Sequence, residues 1–190
     1  MASSQVILFT KCPSHKKDEI NIQLFNQSIP ISNEVTYLGV IFDSRLTWEQ
    51  QIKKLCERAY SRLNLLRAMS SLSKKHNPTL LCQIYNSTIR SIFEYPSICI
   101  VSAANTHIDK LQIIQNEALR IILKVPSYVP IVLMNDAANQ KFVREHLSAI
   151  AEQKIRCLNE KSRYVQKTVD KYRSIRLNSY NMSPLDIITI

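Results

Sequence analysis

The residues of this 190-residue chain on which catalysis or metal binding would have to rest are its aspartates, histidines and cysteines. Asp18, Asp43, Asp109, Asp136, Asp170 and Asp186 are dispersed and no two adjoin. Most fall at loops or helix starts, where capping accounts for an aspartate. A polymerase, nuclease or phosphatase centre needs carboxylates close enough to share divalent metals, for which an Asp-Asp pair on a strand is the usual supply. The chain has none, so no catalytic and no metal-binding residue is assigned and no cofactor is expected. His15, His76, His107 and His146 lie in loops, near helix starts or at polar helix positions and read as solvated. Composition alone does not exclude a spatial Ser/His/Asp or Cys/His site, but nothing local nominates one. Cys12 and His15 form a CxxH in a polar stretch with no second ligand pair at finger spacing, and the cysteines as a group contain no CxxC. Most of Cys12, Cys56, Cys82, Cys99 and Cys157 read as small buried hydrophobes.

Two constellations suit binding better than catalysis. Lys54, Arg58 and Arg62 step by four along one helix face, with Lys53 beside them. They form a basic ridge about 12 Å long, a pattern that suits phosphate contacts and equally suits a solvated amphipathic face. The other is Tyr37-Leu38-Gly39, inside the run Val35 to Asp43. Gly39 is the only glycine of the chain and falls within a strand pattern, where glycine marks a bulge or the close approach of another backbone.

The elements that must position these residues follow from hydrophobic period. Val6 to Thr10, Ile20 to Phe25 and Glu34 to Asp43 are rich in Val, Ile, Phe and Tyr, and turn residues such as Pro13, Asn26, Pro30 and Asn33 lie between them. They predict a small antiparallel sheet. Beyond Asp43 the period becomes helical. Trp48, Ile52, Leu55, Ala59, Leu63, Leu66 and Met69 define a core stripe on a helix starting near Thr47. Val40 and Phe42 should pack the sheet against that stripe. Asn77-Pro78 starts a second helix, with Leu81, Ile84, Tyr85, Thr88 and Ile92 inward and a kink or stop by Pro96. Thr106 and Asp109 resemble a capping box ahead of a third helix that ends before Pro126. A fourth runs from Ala137 through Phe142, Val143, Leu147 and Ile150, turning polar towards Arg176. The expected class is α+β, mainly α, a small N-terminal antiparallel sheet followed by a bundle of about four helices. The expected organisation is residues 1–46 with the sheet, 47–176 helical, and 177–190 unassigned.

Composition bounds the reading. One glycine, where average usage of about 7% would give roughly 13, removes every Gly-rich phosphate loop and favours long helices over a many-turned sandwich. Lys and Arg total 25 against 15 Asp and Glu, a formal charge of +10 that points to a polyanionic partner, nucleic acid before membrane. The longest apolar region, Ile89 to Ala104, is interrupted by Arg90, Glu94 and Pro96, too soon to span a bilayer. Val6 to Phe9 is too short for the core of a signal peptide. An intracellular protein without a membrane partner is expected.

The run Tyr37-Leu38-Gly39-Val40-Ile41-Phe42-Asp43-Ser44-Arg45-Leu46-Thr47-Trp48 resembles the segment after the polymerase core in reverse transcriptases of jockey-like, LINE-type non-LTR retrotransposons. Later blocks agree in order: Ile84-Tyr85 to Ile89-Arg90, Phe93-Glu94-Tyr95, and Leu111-Gln112-Ile113-Ile114-Gln115-Asn116-Glu117-Ala118-Leu119-Arg120-Ile121-Ile122. The likeness covers roughly Gln5 to Arg156. It implies that residues 1–46 hold a palm remnant with the primer-grip hairpin and that the helices form the thumb. Tyr37, Leu38 and Gly39 would then hold nucleic-acid backbone together with Lys53, Lys54, Arg58 and Arg62. The implied partner is the backbone of an RNA-DNA hybrid or duplex. Upstream fingers and the palm aspartates would precede Gln5, so the resemblance implies a C-terminal piece that does not polymerise alone. Magnesium would enter only with a palm-containing partner chain. The other readings are a helical protein-interaction module reused from a retroelement, and a thumb that completes a polymerase in trans with a palm-containing chain. Lys124 stands where relatives commonly carry glycine, and Ser3-Ser4 where they usually carry a Lys-Thr or Lys-Ser pair.

Overall fold

The computed structural model describes residues 5–9, 22–24, 27–72 and 77–161. Two compact units divide the chain: residues 1–48 with 156–190, and residues 49–155. The architecture is α+β and mainly helical, as the change of hydrophobic period requires.

In the first unit the strands are short: β1 Val6–Ile7, β2 Gln23–Leu24, β3 Gln27–Ser28, β4 Ile31–Ser32, β5 Glu34–Tyr37 and β6 Val40–Asp43. They pair as three two-stranded ladders. β2 with β3 and β5 with β6 are antiparallel, whereas β1 runs parallel to β4. The run Glu34 to Asp43 is therefore a hairpin and not one strand, with Tyr37 opposite Val40. Its two-residue turn has φ of +47° at Leu38 and +81° at Gly39, the signature of a type I′ turn that matches strand twist. A Cβ on Gly39 would meet nothing within 4 Å. Among the described residues no other segment crowds this glycine, and the positive φ of the hairpin turn is the conformation that favours it. The turn residues Lys11 to Glu19, Asn26 and the strand ends Thr10, Ile20 and Phe25 lie outside the described residues.

After β6, Asp43 closes the chain on itself. Its carboxylate accepts from the Thr47 amide at 2.8 Å, the Thr47 hydroxyl at 2.9 Å and the Trp48 amide at 2.9 Å. This cap holds Leu46 and Trp48 at positive φ, a conformation that bulky residues rarely adopt. Trp48 thus precedes the helix rather than opening it, and its ring meets Phe42 edge-on with centroids 5.3 Å apart. Val40, Leu46 and Trp48 are buried.

The second unit is built from α1 Glu49–Leu72, α2 Pro78–Tyr85, α3 Ser91–Glu94, α4 Ser97–Ile100, α5 Asn105–Leu123, α6 Ile131–Ala137 and most of α7 Val143–Lys161. Around α5 lie α1, α2 and α6, joined by the buried side chains of Ile52, Leu63, Tyr85, Ile114, Leu119 and Met134. Asn77 caps α2, accepting from the Leu80 amide at 3.2 Å, with Pro78 at the first position. A π turn over Asn86–Arg90 joins α2 to α3, shifting the phase so that Ile89 and Arg90 both turn inward. Thr88 and Ser91 hydroxyls donate to the Ile84 and Ser87 carbonyls at 2.6 Å each, occupying acceptors in this loosened turn.

Among the described residues the bundle comprises seven α-helical segments, because Pro96 and the polar stretch after Ala137 break long patterns into pieces. Two helix expectations need correction. α5 begins at Asn105, and no side-chain cap bond forms at its N-cap, Ala104, so Thr106 and Asp109 are not a capping box. Met69 is 36% exposed, and Ser70 takes the inward position, donating to the Ile121 carbonyl at 3.4 Å. The polar stretch beyond Lys161, towards Arg176, lies outside the described residues.

Lys124 ends α5 in the left-handed region at φ +53°, with the Val125 amide returning to the Arg120 carbonyl. A glycine there carries no Cβ penalty. Lys124→Gly should therefore stabilise the chain by about 0.5–1 kcal/mol, read as a higher urea midpoint with unchanged slope.

Candidate nucleic-acid interface

The outer face of α1 carries three basic side chains at four-residue spacing. Arg58 and Arg62 are exposed and Lys54 is half-buried. At about 100° per residue they fall within about 40° of Arg58 on either side. Lys53, equally exposed, lies about 140° round the axis from Arg58 and does not share this line. The structure therefore brings together Lys54, Arg58 and Arg62 and separates Lys53 from them. Sequence adjacency to Lys54 is what misleads, because neighbours on a helix point to different faces.

The fold makes use of several other cations. Arg67 pairs with Glu117, linking α1 to α5. Arg90, 5% exposed, donates to Gln140 and to the Lys141 carbonyl. Arg120 donates to the Ser127 carbonyl. Lys154 caps the end of α3, donating to the Glu94 carbonyl, to the Tyr95 carbonyl at 3.2 Å and to Ser97 Oγ at 3.1 Å. Among the described residues no ion pair engages Lys54, Arg58 or Arg62.

In the first unit, the hairpin tip places Tyr37 and Leu38 at 65% and 71% exposure, with Gly39 open beside them. Asp43 is the positioning residue that the sequence reading treated only as a cap. Its signal was Asp43 followed four residues later by Thr47. Partial burial opposes its ionisation, but the Thr47 and Trp48 amides and the Thr47 hydroxyl outweigh this and hold the carboxyl below its ordinary value.

Behind the surface of the second unit lies a polar interior. Gln115, fully buried, accepts from the Tyr85 hydroxyl at 2.9 Å and donates to Asn135 Oδ1 at 3.1 Å and to the Lys141 carbonyl at 2.9 Å. Gln112 accepts from the Val143 amide at 2.8 Å and donates to Asn116 Oδ1 at 2.8 Å. His146 meets Glu94 at 2.7 Å, so it is paired and not simply solvated. Burial raises the Tyr85 hydroxyl and lowers the Arg90 guanidinium from their ordinary values, and each partly offsets the other. The three helical blocks that carried the family resemblance thus each supply polar side chains bonded within the second unit.

Neither metal nor thiol chemistry gains support. Among the described residues no three His, Cys, Asp or Glu side chains converge for a metal. Cys56, Cys82 and Cys99 are half-buried and Cys157 is exposed, less buried than expected. Burial still lifts the first three thiols above their ordinary values, against reactive thiolates. Cys12, His15 and His76 lie outside the described residues. Among the described residues no helix is long and apolar enough to cross a membrane.

A probable RNA-directed DNA polymerase from transposon BS of Drosophila melanogaster is 30% identical to this chain over 118 residues, which are 61% of the chain and 13% of that protein. The chain thus spans about one eighth of the length of the curated relative it matches. The likeness supports a protein related to retrotransposon reverse transcriptases. No family model matches the chain, and no solved structure matches it.

Two outcomes follow from these contacts. Tyr85→Phe leaves the buried Gln115 oxygen without its donor and should cost about 1–3 kcal/mol in chemical denaturation. Asp43 has a folded-state value below its unfolded value near 3.8, so its stabilisation is present above that pH and lost as pH falls through the lower value. Asp43→Asn should weaken the fold at neutral pH, with wild-type and variant stabilities converging in acid, as measured by denaturant midpoints across the pH range.

Proposed function

We propose that the chain is a primer-grip and thumb portion of a retrotransposon-type reverse transcriptase that grips the backbone of an RNA-DNA hybrid or duplex without catalysing transfer itself. The observation that carries this is the line Lys54, Arg58 and Arg62, unpaired by any described acid, in a chain similar to a transposon RNA-directed DNA polymerase. Guanidinium groups suit phosphate because their planar donors meet two oxygens at once. The hairpin supports the same reading by presenting an open backbone and an exposed aromatic tip at Tyr37, Leu38 and Gly39. Lys53 is left out of the line on helix geometry.

The second reading, a helical protein-interaction module, is favoured by one patch. Ile131, Val132 and Leu133 are consecutive exposed apolar residues on α6, and Tyr128 just before them is 84% exposed. Successive exposed apolar side chains of this kind need a covering surface.

Binding of an RNA-DNA hybrid, titrated at several salt concentrations, separates the two. Each phosphate contact adds about 0.7 to 0.9 to the log-log slope. The Arg58→Ala, Arg62→Ala double variant should lower the slope by roughly one to two units while leaving stability nearly unchanged, because exposed charges contribute little to folding. Equal slopes for wild type and variant would overturn the backbone-contact reading and favour the interaction module.

A further inference from the structure

We infer that a single phosphodiester strand lies along the axis of α1, touching Lys54, Arg58 and Arg62 in turn, and leaves the helix at Leu65. This rests on the nucleic-acid reading above and adds the ligand's direction and its end point.

The line of cations does not stop at a helix end. It continues in register into Leu65 and Met69, which are 47% and 36% exposed. Relative to Arg58, Lys54 sits at about −40°, Arg62 at +40°, Leu65 at −20° and Met69 at +20°. All five share a sector about 80° wide and run for about 22 Å along α1. Gln51 falls in the same sector but is buried, so the exposed line begins at Lys54. The acids of α1 lie off it, Glu57 by about 100° and Glu49 by about 180°. The sector is therefore cationic for about 12 Å and then apolar, with no acid between.

A polyanion that crossed α1 at an angle would meet at most one of the three cations and then run past Glu57 or into the packed side. One that lies along the axis meets all three, at steps of about 6 Å. Phosphate gains nothing from Leu65 or Met69 and loses hydration beside them, so the strand departs there. No aromatic side chain shares the sector, Tyr60 lying about 160° from Arg58, so there is no stacking platform for unpaired bases. The contact takes backbone phosphates and is indifferent to sequence. An acidic amphipathic peptide is the competing occupant, since it would use the apolar residues as well as the cations.

The full chain is titrated with a short RNA-DNA hybrid at several salt concentrations, comparing wild type with Leu65→Lys, Met69→Lys and, as an off-line charge control, Tyr60→Lys. Circular dichroism checks that each variant is folded. A track that ends at Leu65 is lengthened by a lysine placed in line, so Leu65→Lys should tighten binding and raise the slope by about 0.7 to 0.9. Met69→Lys tests the same direction independently. Tyr60→Lys adds equal charge and should leave the slope near wild type. Unchanged slopes for both in-line lysines, or an equal rise for Tyr60→Lys, would overturn the axial track. Polyglutamate that displaces the hybrid from wild type and loses this ability in Leu65→Ser would also overturn it, in favour of an acidic protein. If removal of Arg58 and Arg62 already leaves the slope unchanged, the nucleic-acid reading itself fails, which is a separate result.

Discussion

The side-chain amide of Gln115 is the contact on which the arrangement of the helical unit depends. It sits at the centre of α5 with no exposure, so every polar atom it carries must find a partner inside the protein. The Lys141 carbonyl can only accept, which turns Nε2 towards it and Oε1 towards Tyr85. The Tyr85 hydroxyl must then donate. One amide orientation thus fixes α2 through Tyr85, α6 through Asn135 and the approach to α7 through Lys141. Arg90 donates to that same carbonyl from the π turn, so the irregular stretch between α2 and α3 is tied to the same point. Leucine in place of Gln115 would fill similar space but leave the Tyr85 hydroxyl and Asn135 Oδ1 without this partner, which is why a buried polar centre of this kind tolerates little change.

Charge in this molecule divides by use. Arg67, Arg90, Arg120 and Lys154 each take a partner within the fold, and three of the four reach backbone carbonyls or an amide where a carboxylate would be the more familiar acceptor. Nine glutamates and six aspartates are too few to pair 25 basic residues in any case. The surplus must face solvent, and on α1 it does so in single file. A stripe of cations costs little on an isolated helix surface in salt, but it creates a potential that favours anions along one direction.

Much of the helical frame was legible because burial imposes its own period. Ile52, Leu55, Ala59, Leu63 and Leu66 had to face inward on α1, and Asn77-Pro78 had to open α2. What was not legible has identifiable causes. A glycine between β-formers reads as strand interior until pairing shows that Tyr37 faces Val40 and the chain turns between them. Met69 and Ser70 compete for one inward position, and the hydroxyl wins because it reaches the Ile121 carbonyl while the longer thioether stays partly in water. α6 escaped notice because its apolar run Ile131 to Met134 shows no helical period, three of the four pointing outward. Lys53 was grouped with Lys54 by adjacency, which on a helix separates side chains by about 100°. The Gln115 network left no trace in composition, since a buried glutamine and an exposed one look alike in a sequence.

The interior and the candidate surface are therefore separate parts of the chain's chemistry. The blocks Ile84-Tyr85, Ile89-Arg90, Phe93-Glu94-Tyr95 and Leu111 to Ile122, through which the sequence resembles reverse transcriptases, supply Tyr85, Arg90, Glu94, Gln112, Gln115 and Asn116, all engaged within the helical unit. Lys54, Arg58 and Arg62 contribute nothing to that network and make no ion pair among the described residues. A change in the network acts on every helix it joins and reaches binding only through folding. A change on the α1 line acts on the ligand with the scaffold intact. Because contacts that share no partner add nearly independently, a variant from each set combined should show the sum of a stability loss and a binding loss, without coupling between them. Coupling would mean that the scaffold sets the aim of the cations as well as supporting the helix that carries them.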